Sequence, residues 1–179
     1  MSNRSAEPFA VIIMGVSGCG KSTVGQLLAK RMGVEFIEGD QFHPKENVAK
    51  MASGQPLNDQ DRLGWLQSLA NQLRQAQTSN RSVVLSCSAL KESYRDILRT
   101  GAPDAWFVHL FASFEVLSER VTSRSHQYMP ASLLASQLAT LEPPNAGPRV
   151  LSYDVAIPAG EIAEKIEKVI WAVRSTLPN

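Results

Sequence analysis

The segment Gly15-Val16-Ser17-Gly18-Cys19-Gly20-Lys21-Ser22 constrains this chain more than any other, because it satisfies G-x-x-x-x-G-K-[ST] between an apolar run and a helical pattern. The apolar run is residues 9–14 (FAVIIM), and Val24, Leu27, Leu28 and Arg31 mark the helix that follows. Glycines let the backbone curl until successive N–H groups point inward at phosphate oxygens. The helix N-terminus adds its partial positive charge. Lys21 is expected to bridge the β- and γ-phosphates of a nucleotide, and the Ser22 hydroxyl to ligate Mg²⁺. The alternative is a glycine-rich turn that binds nothing. A chance match in a chain of this length has a probability on the order of one percent.

The rest of the chain fits that start. Short apolar runs at residues 9–14, 34–37, 83–86, 106–111 and 153–157 alternate with helical stretches. Leu66, Leu69 and Leu73 form one apolar stripe, and Ile162, Ile166, Val169 and Val173 form another. This alternation predicts an α/β fold of the P-loop NTPase type: a parallel five-stranded sheet flanked by helices, with a mobile lid. No repeat or linker divides the chain, so residues 1–179 are expected to form a single domain.

Composition removes several classes of function. A formal net charge of +1 supplies no field for nucleic acid, and no basic stripe accompanies it. The six apolar residues after a polar start are too few for a signal peptide or a membrane span, so a soluble protein with no membrane partner is expected. Cys19 and Cys87 form no CxxC pair and suit a reduced cytosolic setting. A guanine-type N-K-x-D is absent, and the D-x-x-G at Asp61–Gly64 lies within a helical pattern, where it is a coincidence.

The acceptor side must lie at neighbouring strand ends. Residues 34–37 lead into Glu38-Gly39-Asp40 and then Gln41-Phe42-His43-Pro44. Ligands gather at the carboxyl ends of parallel strands, so Asp40 is expected to face the γ-phosphate and orient or deprotonate an attacking hydroxyl. A helix-capping carboxylate is the alternative. His43 is a candidate substrate contact or a turn residue. The strand at 83–86 carries no terminal aspartate, which leaves metal to Ser22, ATP and water, with Asp40 nearby. Lys91 and Arg95, four apart at a helix start, can hold an anionic substrate or form a solvated face. Arg120 and Arg124 end a helical pattern, where they suit either the transferring phosphate or the helix dipole.

Taken together, the residues resemble the gluconate kinases, P-loop enzymes related to shikimate kinase and the nucleoside monophosphate kinases. The resemblance spans nearly the whole chain after residue 8. Beyond the phosphate loop it rests on Gly39-Asp40 with His43-Pro44, on Asp61-Arg62 and Trp65-Leu66, and on Cys87-Ser88-Ala89-Leu90-Lys91 with Tyr94-Arg95-Asp96. It continues through Met129-Pro130, Ser136-Gln137 and Leu141-Glu142. Two departures stand out: Gln127-Tyr128 replaces the usual His-Phe, and Gly64 replaces a proline.

The resemblance implies ATP-dependent phosphorylation of D-gluconate to 6-phosphogluconate, with Mg²⁺, by a cytoplasmic homodimer. The implied catalytic residues are Lys21, Asp40 and Arg124. ATP would be held by Gly15, Val16, Ser17, Gly18, Cys19, Gly20, Lys21, Ser22, Thr23 and Arg120. The substrate would be read by some of Asp40, His43, Arg62, Lys91 and Arg95. Adenine contacts are expected near residues 154–158. The rivals are the same chemistry on another aldonate, shikimate or a nucleoside monophosphate, and a nucleotide-dependent switch.

Overall fold

The computed structural model describes residues 7–123 and 132–176. Strand β1 (Ala10–Met14) is apolar and buried along its whole length, as a strand covered on both faces requires. It lies between β3 (Val83–Ser86) and β4 (Trp106–Phe111); β2 (Glu35–Glu38) pairs with β3, and β5 (Val150–Asp154) with β4. All four pairings are parallel, and the order is β2-β3-β1-β4-β5.

Among the described residues, seven helices connect and cover these strands. They are α1 (Lys21–Met32), α2 (Lys45–Ala52), α3 (Asp59–Thr78), α4 (Glu92–Arg99), α5 (Phe114–Ser123), α6 (Ser132–Thr140) and α7 (Ala159–Thr176), with a 3-10 turn at Gly39–Phe42. The β1→β2 crossover runs one way across the sheet, whereas β2→β3 and β3→β4 run the other. Right-handed crossovers therefore put α1 on one face and α3 with α4 on the opposite one. Helix α7 returns to pack on α1. Connections reverse direction beside β1, so the crevice at the carboxyl ends of β1, β2 and β3 is where an open parallel sheet takes its ligand.

Two strand boundaries differ from the sequence expectation. Val34 was expected to open a strand at 34–37. Instead its N–H donates to Ala29 O at 3.0 Å as part of the α1 C-cap, where Gly33 adopts φ 66°. The strand therefore shifts by one residue and ends on Glu38. The last strand was expected at 153–157 and lies at Val150–Asp154, in register from Phe107↔Val150 to Phe111↔Asp154. Asp154 turns the chain: its Oδ1 accepts Ala156 N–H at 2.8 Å, and its carbonyl accepts Ile157 N–H at 3.1 Å. At a half-exposed sheet edge the strand itself needs few apolar residues. The alternation at Tyr153, Val155 and Ile157 belongs partly to the turn, which packs Val155 and Ile157 on the core.

Helix α3 carries residues to the crevice from a fixed start. The Asn58 side chain accepts Asp61 N–H, and Asp61 Oδ2 accepts Asn58 N–H, both at 2.8 Å; this reciprocal capping box satisfies two otherwise orphaned donors. Trp65, Leu66, Leu69 and Leu73 then bury one face of the helix. Each buried leucine contributes roughly 1.5–3 kcal/mol by leaving water. Among the described residues, no helix is long and apolar enough to cross a membrane.

Candidate active site

The loop between β1 and α1 has the geometry its sequence demands. Gly15, Gly18 and Gly20 adopt φ of 141°, 84° and 90°, in the region that glycine alone enters without strain. Lys21 Nζ donates to Val16 O at 3.1 Å, folding over its own loop. Arg120, on α5, stands beside the loop: its Nη2 donates to Val155 O at 3.3 Å, and its Nη1 is 3.9 Å from where a Cβ on Gly20 would lie.

The neighbouring strand end supplies carboxylates. Glu38 Oε2 accepts from Ser22 Oγ and Glu38 Oε1 from Ser86 Oγ, each at 2.5 Å, while Ser86 Oγ also accepts Gly39 N–H at 3.1 Å. This bridge joins the ends of β2 and β3 to the serine of the loop. It closes only because residue 39 lacks a side chain, since a Cβ there would sit 2.0 Å from Ser86 O. Ser22 Oγ and the Glu38 carboxylate are hard oxygen donors that fit Mg²⁺, an ion that takes few protein ligands and keeps waters and phosphate oxygens.

Asp40 follows on the 3-10 turn with its side chain 43% exposed, free to meet a ligand. His43 Nε2 lies 4.0 Å from Asp40 Oδ1. The His43 ring is stacked on Trp65, with centroids 4.0 Å apart and planes 17° apart, and its side chain is only 5% exposed. Trp65 is itself held by donating Nε1–H to Gly39 O at 2.8 Å. Burial, and secondly the nearby Arg62 guanidinium, lower the His43 pKa to about 4. His43 is therefore neutral at physiological pH. Asn47 Nδ2 approaches His43 Nδ1 at 3.4 Å, and since an amide nitrogen only donates, the ring proton is assigned to Nε2. That N–H faces the Asp40 side of the cavity.

Arg62 is 6% exposed, lies over the Tyr94 ring at 5.6 Å, and donates Nε–H to Leu57 O at 3.3 Å. Burial lowers its pKa below the ordinary arginine value, yet a guanidinium keeps its charge at neutral pH. One cavity of about 450 Å³ joins these parts, lined at one end by Ser17, Gly18, Gly20, Lys21, Ser22 and Thr23. Asp40, His43 and Arg62 stand beyond them, with Glu38 beside Ser22 and with Ser88 and Gln137 also in the wall. A triphosphate tail and a small polar acceptor can therefore meet in one space.

The sequence model of the shikimate kinase family matches residues 17–141. A probable gluconokinase of Xenopus tropicalis is 41% identical over 184 residues, covering 92% of this chain and 97% of its own. The gluconokinase of Gluconobacter oxydans is 49% identical over 138 residues, covering 77% of this chain and 78% of its own. The crystal structure of a gluconokinase from Sinorhizobium meliloti superposes with a TM-score of 0.82 at 45% identity, covering 94% of this chain and 95% of that one. The chain belongs to the gluconokinase family.

Not every residue expected from gluconokinase resemblance reaches the cavity. Lys21, Ser22, Thr23, Asp40, His43 and Arg62 do. Val16 and Cys19 are buried beneath the loop and lend it only backbone, and Gly15 forms its first turn. Lys91 is drawn away: Nζ donates to Asp59 Oδ1 at 2.8 Å. Arg95 is 1% exposed and donates to Ala89 O at 2.8 Å, to Glu142 O at 2.9 Å and to Glu92 Oε2 at 2.8 Å. Neither lines the cavity. Their four-residue spacing at the start of α4, with Lys91 as its N-cap, is real, but it serves structure, because every Arg95 donor group finds a carbonyl or carboxylate nearby. Arg124 lies outside the described residues, as do His126, Gln127, Tyr128, Met129 and Pro130.

Sequence reasoning passed over Glu38, Ser86 and Gln137 as site residues. Glu38 was hidden by the one-residue shift of β2, which ends the strand on the carboxylate rather than before it. Ser86 gave no local signal and Gln137 only its place in the family resemblance, since each gains its meaning from a partner far along the chain.

Proposed function

We propose that this chain transfers the γ-phosphate of ATP to the terminal hydroxyl of D-gluconate, giving 6-phosphogluconate and ADP. The observation that carries the reading is the shared cavity. It holds a phosphate loop at one end and, at the other, a carboxylate, a neutral imidazole and a buried guanidinium, in a member of the gluconokinase family. The reading also takes residues 1–179 as one domain of a cytoplasmic homodimer. Its two buried free cysteines suit a reducing compartment.

In this mechanism the loop N–H groups and Lys21 hold the β- and γ-phosphates. Arg120 lies against the nucleotide together with the turn at residues 154–158, as its bond to Val155 O suggests. Arg124 joins it at the transferring group. Ser22 and Glu38 would hold Mg²⁺, which when bound offsets charge on the phosphate oxygens. Asp40 accepts the hydrogen bond of the attacking hydroxyl and takes its proton as the new O–P bond forms in line. The bond between the γ-phosphorus and the β–γ bridging oxygen breaks, and ADP leaves with that oxygen. Arg62 pairs with the gluconate carboxylate, for which a planar guanidinium supplies two parallel donors. His43 donates Nε2–H to a substrate hydroxyl.

The test is a coupled assay for ATP-dependent formation of 6-phosphogluconate by the purified chain with Mg²⁺. Turnover on gluconate above other aldonates, shikimate and nucleoside monophosphates is the expected outcome. No gluconate turnover, together with turnover on one of those acceptors, would overturn the assignment.

A further inference from the structure

Helix α6 buries Leu133 and Leu134, as an amphipathic helix should, but it also buries Gln137 on the same face at 8% exposure. A carboxamide removed from water is costly unless bonded. Here Oε1 accepts the Ser17 N–H at 2.7 Å, across 120 positions of sequence. Ser17 is one of the amides of the phosphate loop, and both residues line the cavity that also contains Asp40. The next residue, Gly18, is pressed against α5: a Cβ there would lie 2.9 Å from Val121 Cγ2 and 3.1 Å from Leu117 O. The tip of the loop is thus held from two helices.

Gln137 is itself held in place. Beyond the end of α6, Glu142 N–H donates to Leu90 O at 2.7 Å, and the Glu142 carboxylate accepts Glu92 N–H at 2.7 Å. Arg95 Nη2 donates to Glu142 O at 2.9 Å. The helix is therefore pinned to the segment after β3, and the Gln137 oxygen has a position dictated by that anchor. This is where the buried Arg95 acts: it fixes the support, not the substrate. The acceptor is also neutral. A carboxylate at this point would satisfy the same N–H but place a negative charge beside the triphosphate.

We propose that Gln137 is a positioning residue for phosphoryl transfer, which by holding the Ser17 N–H fixes the tip of the phosphate loop relative to Asp40. This rests on the proposed reading of the loop as the holder of ATP. A small error in that alignment lowers the rate of transfer without removing either substrate from its site.

Two variants separate this from a purely structural role. Gln137→Met keeps length and burial but accepts poorly; Gln137→Glu keeps the acceptor and adds charge. For Gln137→Met, kcat should fall on the order of tenfold, the worth of about one hydrogen bond. The KM for gluconate and the calorimetric Kd for an unreactive ATP analogue should stay within roughly twofold, and the Ser17 amide should exchange faster by NMR. For Gln137→Glu, that amide should remain protected while the analogue binds on the order of tenfold more weakly. Wild-type kcat in Gln137→Met would overturn the proposal. So would a loss in which kcat, both affinities and melting temperature fall together. If the wild-type chain turns over no gluconate, the acceptor assignment fails by itself. Amide exchange, analogue affinity and acceptor-independent ADP release then decide the role of Gln137.

Discussion

The two ends of the cavity are built on different principles. The phosphate end is backbone: one contiguous stretch of eight residues, three of them glycines at positive φ, presents N–H groups at the head of α1. The acceptor end is side chain: Asp40 and His43 come from the turn after β2 and Arg62 from α3, and the last two are each backed by a buried partner. His43 is backed by Trp65 and Arg62 by Tyr94. A backbone cradle recognises any phosphate tail and so identifies no acceptor. A side-chain wall can discriminate between acceptors, but only if a layer behind it holds each group still.

That contrast can be broken at either end. The largest effect should come from the loop: Lys21→Met should lower kcat/KM by roughly a thousandfold or more with the fold intact, because charge stabilisation during transfer is lost. Steady-state kinetics beside a circular-dichroism melt checks this, and a loss below tenfold would remove Lys21 from the chemistry. At the acceptor end, Asp40→Asn should reduce kcat by roughly a hundred- to a thousandfold while the affinity for ATP holds. Near-normal turnover would exclude the orienting role.

The buried imidazole has a stability signature. Its folded pKa of about 4 lies below the unfolded value, so between pH 6.5 and 4 the unfolded chain binds the extra proton. Stability should therefore fall as pH drops through that window, by about 3 kcal/mol from this group. Buried His109, also shifted downward by burial and by Arg95, acts in the same direction. The comparison is therefore between the wild-type chain and His43→Asn in urea melts from pH 7 to 4. Equal slopes would show that His43 is not held neutral.

The acceptor wall can be sharpened further by a pair of cations. Arg62→Lys should raise the KM for gluconate by about ten- to a hundredfold through loss of the two-pronged contact, leaving the KM for ATP in place. Lys91→Ala should leave both constants within roughly twofold, since its partner is the exposed Asp59 and such a surface pair contributes little. The reverse ranking would return Lys91 to the substrate set.

Legibility followed the same division. The loop could be read because its residues are adjacent in sequence and its chemistry lies in the backbone. β1, β3 and β4 could be read within a residue because buried parallel strands are mostly apolar, whereas β2, an edge strand of sequence EFIE, lies one residue later than expected. β5 could not, because an edge strand lacks that demand and the apolar residues past Asp154 belong to a turn. Asp40 and His43 were legible as chemistry-bearing residues near a strand end, and Arg62 through the resemblance to the gluconate kinases. That His43 is neutral, and that Arg95 is consumed by carbonyls, required the packing of distant segments.

By itself the sequence determined the phosphate cradle, the parallel sheet and the family, since each is written in local spacing or in contiguous motifs. Tertiary structure alone decided which cations face the cavity, how Glu38 and Ser86 tie two strand ends to Ser22, and that Gln137 reaches across the chain to Ser17. The physical reason is reach. Backbone conformation is set within a few residues, whereas burial, desolvation and hydrogen-bond partnership are set by whatever the fold brings alongside.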